Sequence, residues 1–300
     1  MRQCPASVTS TTRACAAWRT YRSSAQRAGC LKLREHRTQT CCPQTHKVRG
    51  GRHRSRLLTQ LAAADIAWSS ASVESNEKVG KDRYKLVLDI GEDVAKGYTV
   101  PGQYVQLRCG EEQKPAFIAI ANAPSESSLV EIVVKTNDGT AGAICALGKG
   151  EELDVSPVMG KGFAVEDKAP LSTCKNVYLV ATGTGIAPIR ALIQSGDLEI
   201  PSRESVALYY GYRNQDYCAY SEEFPEWEKL GVKVIPVLSE PGSDWQGDSG
   251  YVQDTFKANE KLEEPQGVVA IIAGQYELAG VFSEMFKEAA VPEERVILNF

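Results

Sequence analysis

VYLVATGTGIAPIRA, residues 177–191, decides the fold. Its first part is apolar and β-branched (Val177, Leu179, Val180), as a strand buried on both faces requires. Thr182-Gly183-Thr184-Gly185 then breaks the run, and Ile186, Ile189, Leu192 and Ile193 follow at helical spacing. Pro188 suits a first helical turn, where a missing N–H costs nothing. Strand, glycine turn and helix together point free backbone N–H groups and a positive helix end at one spot. Glycine admits a phosphate there because no Cβ stands in the way. A plain tight turn in an α/β sheet is the bland alternative, and the flanking strand and helix favour a nucleotide site. Pro188 occupies the third position of the Gly-x-Gly-x-x-Gly pattern, so the ordinary dinucleotide fingerprint is absent.

The chain carries two compositions. Before Asp65 stand 13 of the 34 basic residues and one of the 38 acidic residues, Glu35, which leaves a net −16 for the remainder. The leader, residues 1–66, is rich in Arg, Ser, Thr and Ala and lacks periodic hydrophobicity, which predicts an organelle transit peptide. A nucleic-acid-binding basic arm is the rival, but only Trp18 and Tyr21 are available to stack on bases. No apolar run reaches membrane-spanning length. The acidic body disfavours nucleic acid and anionic membranes as partners. Its four cysteines (Cys109, Cys145, Cys174, Cys218) form no C-x-x-C pair, so neither zinc nor an iron–sulfur cluster is expected. All three histidines (His36, His46, His53) lie in the leader. The body therefore has no His general base, which argues against Ser–His hydrolysis and most metallohydrolase chemistry.

Residues 67–168 read as an antiparallel barrel or sandwich, with strands over 70–77, 84–89, 103–108, 116–121, 129–135 and 152–156 and a helix over 141–147. Residues 169–300 alternate strands (177–181, 206–210, 232–238, 268–273) with helices (187–195, 221–230, 251–259, 278–290). That alternation predicts a doubly wound parallel sheet.

Motifs then follow one another in a familiar order: PGQYV (101–105), KPAFIAIANAP (114–124), EIVVK (131–135), DGTAG (138–142) and VMGKGF (158–163). After the glycine turn come YYGYR (209–213), YSEEF (220–224), LSEPGSDWQGDSGYV (238–252), AGQ (273–275) and VPEERVILNF (291–300). This plan resembles the ferredoxin–NADP⁺ reductase-like superfamily over residues 68–300. Within it, the chain is most similar to the plastid fruit-protein type of plants and algae. The resemblance implies a Greek-key flavin-type barrel, an NAD(P)-binding α/β domain and a chloroplast location, with the mitochondrion as alternative.

Carried over residue by residue, the resemblance is incomplete. The family's Arg-x-Tyr-Ser flavin motif falls on Ala116, Ile118 and Ala119, so a guanidinium, an aromatic face and a hydroxyl are all missing. One charge-assisted contact is worth roughly 1.5–3 kcal/mol, so flavin binding should suffer unless something compensates. Lys114 is a nearby charge. The family's pyrophosphate helix falls on Gly139-Thr140-Ala141-Gly142, with Thr140 as a hydroxyl donor. Phe300 takes the place of the terminal ring that relatives lay against flavin or nicotinamide, and is the one catalytic position implied. Thr182, Gly183, Thr184, Gly185, Ile186, Ala187 and Pro188 match the nicotinamide pyrophosphate loop. Gly274 follows Ala273 where many relatives have a Cys-Gly pair. Ser239, Glu240 and Tyr251 fall where NADP-specific members grip the 2′-phosphate. A carboxylate there favours the ribose 2′-hydroxyl of NADH. Arg213 could offset it, or pair with the Glu222/Glu223 region.

Two functions follow. One is a flavin-dependent NAD(P)H oxidoreductase passing hydride between nicotinamide and FAD, with an unknown electron acceptor. The other is a catalytically degenerate NAD(P)-binding or interaction module that has lost flavin. A ferredoxin reductase proper fits less well, because ferredoxins are acidic and so is this body.

Overall fold

The computed structural model describes residues 66–299. Residues 1–65 of the predicted leader and Phe300 lie outside the described residues.

The first sheet contains β1 (Ser69–Lys78), β2 (Arg83–Asp89), β3 (Tyr104–Arg108), β4 (Ala116–Ala119), β5 (Leu129–Lys135) and β6 (Glu152–Val155), in the order β4-β3-β6-β1-β2-β5. All its pairings are antiparallel. Past the end of β4, an isolated bridge joins Ile120 to Ile132 of β5. The Ala121 N–H donates to the Glu131 carbonyl at 2.7 Å. The two edges therefore meet and the sheet nearly closes on itself, which leaves little unpaired edge. Leu86, Leu88, Val105, Leu107, Ile132 and Val155 fill its interior. β5 is buried on both faces over Ile132–Val134, since Val133 packs outward into the core of the second sheet. Two helices lie early in this region, α1 (Glu92–Ala95) and α2 (Thr140–Ala146). The sequence reading missed α1, since a single turn shows no periodicity.

After the one-turn α3 (Val165–Lys168), chain and sheet change character. The elements are β7 (Asn176–Thr182), α4 (Ile186–Ser195), β8 (Ser205–Tyr212), α5 (Phe224–Leu230), β9 (Val232–Leu238) and β10 (Asp248–Ser249). They continue with α6 (Val252–Asn259), β11 (Val268–Ala273), α7 (Tyr276–Glu288) and β12 (Val296–Leu298). The strands form one wholly parallel sheet in the order β10-β9-β8-β7-β11-β12. The four strands expected from sequence are its centre. Two short edge strands, β10 and β12, were not anticipated, because two or three residues carry no pattern of their own.

Each face of this sheet has its own core. Ile186, Ile189 and Leu192 of α4 and Trp227 of α5 pack on one face. Phe256 of α6 and Phe282 and Phe286 of α7 pack on the other, as an edge-to-face aromatic cluster with Tyr178 and Tyr209. Succession through β7, β8 and β9 runs outward in one direction, whereas β11 returns to the other side of β7. The reversal between β7 and β11 is a topological switch point, where helices on opposite faces leave a crevice at the carboxyl ends of the strands. Among the described residues, no helix is long and apolar enough to cross a membrane.

Candidate functional site

The carboxyl ends of β7 and β11 meet through glycine. Gly183 has φ +56°, a conformation that favours glycine. A Cβ on Gly185 would lie 2.4 Å from the Ala273 carbonyl oxygen, and one on Gly274 would lie 2.3 Å from Thr182 Oγ1. Gly185 and Gly274 are thus demanded by the approach of one turn to the other. At Gly185 this backbone approach is a demand beside the phosphate clearance expected from the sequence. The turn itself is a single 3₁₀ turn, Gly183–Gly185, running directly into α4. Below it the buried Tyr210 hydroxyl donates to the Gly183 carbonyl at 3.1 Å. Burial pushes that hydroxyl well above its ordinary pKa, so it stays protonated and holds the turn.

This turn forms the floor of a cleft of about 680 Å³. Barrel residues Arg83, Phe117, Ile118, Ala119 and Lys135 form one wall, and residues at the ends of β7, β8, β9 and β11 form the other. Of the residues singled out in the sequence, the cleft gathers Ile118, Ala119, Thr182, Gly183, Thr184, Gly185, Ala187, Pro188, Arg213, Ser239, Tyr251 and Gly274. Two lie elsewhere. Ile186 is fully buried in the core beneath α4, and Ala116 packs against the barrel interior. Gly139, Thr140 and Gly142 line a separate open groove of about 570 Å³ with Lys114. There the Thr140 hydroxyl donates to the Lys114 carbonyl at 2.7 Å, and a Cβ on Gly142 would lie 1.9 Å from the Asn137 carbonyl. Phe300 is outside the described residues.

Arg213 does not pair with Glu222 or Glu223. Its Nε lies 3.7 Å from Glu240, which follows the end of β9, and Glu223 is taken by Arg190. The physical reason is backbone register. Arg213 and Glu240 stand just past neighbouring parallel strands, and the Glu240 N–H donates to the Arg213 carbonyl at 2.8 Å.

Two wall residues carried no sequence signal. Phe117 is 62 % exposed, turns its ring into the cleft and rests against Tyr104 at 5.8 Å between centroids. Phe117 thus puts an aromatic ring on the cleft wall beside Ile118, from the opposite side of the strand. Arg83 opens β2, more than ninety residues before the glycine turn, and only the fold brings it there.

Arg190 of α4 joins the two sheets. Its guanidinium contacts Glu131 of β5 at 3.2 Å, Glu223 at 2.7 Å and the Ala121 carbonyl at 3.0 Å. Tyr220 stacks beneath it and donates to Glu131 at 2.7 Å.

A nearly closed antiparallel barrel, a parallel sheet and a cleft at its switch point define a two-domain nucleotide-binding oxidoreductase fold. Residues 179–284 match the oxidoreductase NAD-binding domain family. Fruit protein pKIWI502 of Actinidia deliciosa is 30 % identical over 227 residues, 72 % of this chain and 71 % of that protein. The electron transfer subunit of dihydroorotate dehydrogenase B (NAD(+)) from Fusobacterium nucleatum is 27 % identical, over 62 % of this chain and 67 % of that one. Among solved structures, a ferredoxin NADP+ reductase from Neisseria gonorrhoeae with bound FAD and NADP superposes with a TM-score of 0.64. It covers 78 % of this chain and 99 % of that one at 14 % identity, a likeness of fold. The chain belongs to the ferredoxin–NADP⁺ reductase-like superfamily and, within it, to the family of the plant fruit protein.

Proposed function

We propose that this chain is a flavin-dependent NAD(P)H oxidoreductase, with NADH preferred and a chloroplast location. The observation that carries the reading is the single cleft in which a glycine turn at the switch point faces an aromatic and apolar barrel wall. A flavin ring fits that wall as a flat apolar surface, with Phe117, Ile118 and Ala119 beside it. The groove at Gly139, Thr140 and Gly142, with Lys114 at its edge, is the match for the flavin's diphosphate and adenosine. Bound FAD supplies hydride acceptance and electron relay. The chain's own residues bind, align and shelter: Thr182, Gly183, Thr184 and Pro188 hold the nicotinamide nucleotide, and Ser239 and Tyr251 frame its adenosine end. Hydride transfer needs no general base, so a body without histidine suffices.

NADH preference rests on Glu240. It neutralises Arg213 and sets a carboxylate beside the position of a 2′-phosphate. Like the acceptor, Phe300 against the flavin or nicotinamide is a matter for mutagenesis.

A visible absorption spectrum of the purified protein, before and after addition of FAD and then NADH, tests the reading. A flavin spectrum that bleaches with NADH is expected. A colourless protein that takes up no FAD yet binds NAD(H) would instead establish the nucleotide-binding module. Ala116, Ile118 and Ala119, with no charge or hydroxyl, favour that second reading.

A further inference from the structure

Four charged side chains line the cleft: Arg83, Lys135, Arg213 and Glu277. Three of the four are basic, and each has a carboxylate beside it: Glu240 for Arg213, and Asp82 for both Arg83 and Lys135. Arg213 and Lys135 are more than half exposed, and Lys135 only approaches Asp82, at 3.8 Å, whereas the Arg83 side chain is 7 % exposed. Its Nη1 donates to Asp82 at 2.8 Å, and its Nε is buried without a hydrogen-bond partner. Nη2 points at the glycine turn, 3.4 Å from where a Cβ on Gly183 would stand.

A guanidinium has five donors in a fixed fork. A buried donor left unpaired costs free energy, and such groups are few in native proteins. The fold spends backbone to hold this one in place. The turn between β1 and β2 is tied to the loop after β8 by Lys81, whose N–H donates to the Asp216 carbonyl at 2.7 Å. Tyr217 in that loop stacks under Arg83 at 5.6 Å, with Lys81 and Arg213 also against its ring. Asp82 occupies one corner of the fork and leaves Nη2 beside Gly183, in the turn that runs into the ten-residue α4. Backbone N–H groups on one side and a planar guanidinium on the other match a doubly charged diphosphate.

We infer that Arg83 is the diphosphate anchor of the cleft, supplied by the barrel to the dinucleotide bound on the α/β sheet. This rests on the nucleotide-binding reading above and adds a residue to it. An arginine on the opposite wall ties diphosphate recognition to the seating of the barrel, so the nucleotide itself bridges the two sheets.

Binding of ADP-ribose and of adenosine to the full chain, to Arg83→Gln and to Arg83→Lys, followed by calorimetry, tests the inference. Arg83→Gln should bind ADP-ribose about tenfold to a hundredfold more weakly, the range of one charge-assisted fork contact. Arg83→Lys should fall between, because a point charge lacks the fork. Adenosine should bind all three alike. In the unaltered protein, the Nε–H resonance of Arg83, assigned by its loss in Arg83→Lys, should shift with ADP-ribose and stay still with adenosine. That readout holds even if Arg83→Gln folds poorly. Wild-type ADP-ribose affinity in Arg83→Gln, or an unmoved resonance, overturns the anchor and leaves the nucleotide site standing. Failure of the unaltered protein to bind ADP-ribose overturns both.

Discussion

Arg190 and Glu131 stand 3.2 Å apart across the seam between the parallel sheet and the barrel, and both are largely buried. The helix that begins at the glycine turn is thereby bound by charge to the strand that closes the barrel. Burying an ion pair is no guarantee of net stability, but removing one partner leaves an uncompensated charge. Glu223 retains part of the compensation, because it grips the same guanidinium through two oxygens. Glu131→Ala should therefore cost about 1–3 kcal/mol, less than a fully stranded charge. Denaturant unfolding would measure it, and a loss below about 0.5 kcal/mol would show that the seam is held by its apolar contacts instead.

Gly185→Ala should both destabilise the chain and weaken nucleotide binding. Its methyl would intrude to 2.4 Å from the Ala273 carbonyl, and neither side is a flexible tip that can move away. A cost of about 1–3 kcal/mol is expected from such overpacking. A thermal melt run with an NADH titration reads both effects. A normal melt with normal affinity would mean the two turns can separate freely.

Coenzyme choice is predicted to respond to Glu240. Glu240→Gln frees Arg213 and removes the carboxylate, so the ratio of kcat/KM for NADPH over NADH should rise several-fold. Both groups are more than half exposed, which keeps the effect modest. An unchanged ratio would place the selectivity elsewhere in the loop from Ser239 to Tyr251.

Phe117→Ala should leave stability almost untouched, because the ring is already 62 % in solvent. Flavin affinity should fall about tenfold, the size of one stacking contact. Equilibrium titration with FAD reads it. An intact affinity would remove Phe117 from the flavin wall.

Cys145 and Cys218 should resist alkylation. Burial pushes both thiols up to about 11, so at pH 8 roughly one molecule in a thousand carries either thiolate. The sign is that of an acid kept neutral by the fold. Its contribution to stability is complete below the unfolded value of 9.0 and is lost as pH rises from there through about 11. Mass-resolved labelling with iodoacetamide at pH 8 and pH 10 checks the order, and fast labelling of either thiol at pH 8 in the folded protein would contradict it.

Sequence alone determined the elements that repeat a physical period over many residues. The short β-branched run in LVEIVVK made β5 a strand, and the unbroken apolar VVAIIA made β11 a strand covered on both sides. The glycine turn was legible because strand, turn and helix are contiguous, and local backbone chemistry dictates all three. Tertiary structure alone decided what faces the turn. Arg83 and Phe117 reach it from a barrel whose strands pair out of sequence order, and nothing local marks an ordinary arginine or phenylalanine for that place. It also decided that Gly185 answers to the Ala273 carbonyl and that Arg213 answers to Glu240. Both are contacts between chain ends of neighbouring strands, brought within reach only when the parallel sheet assembles.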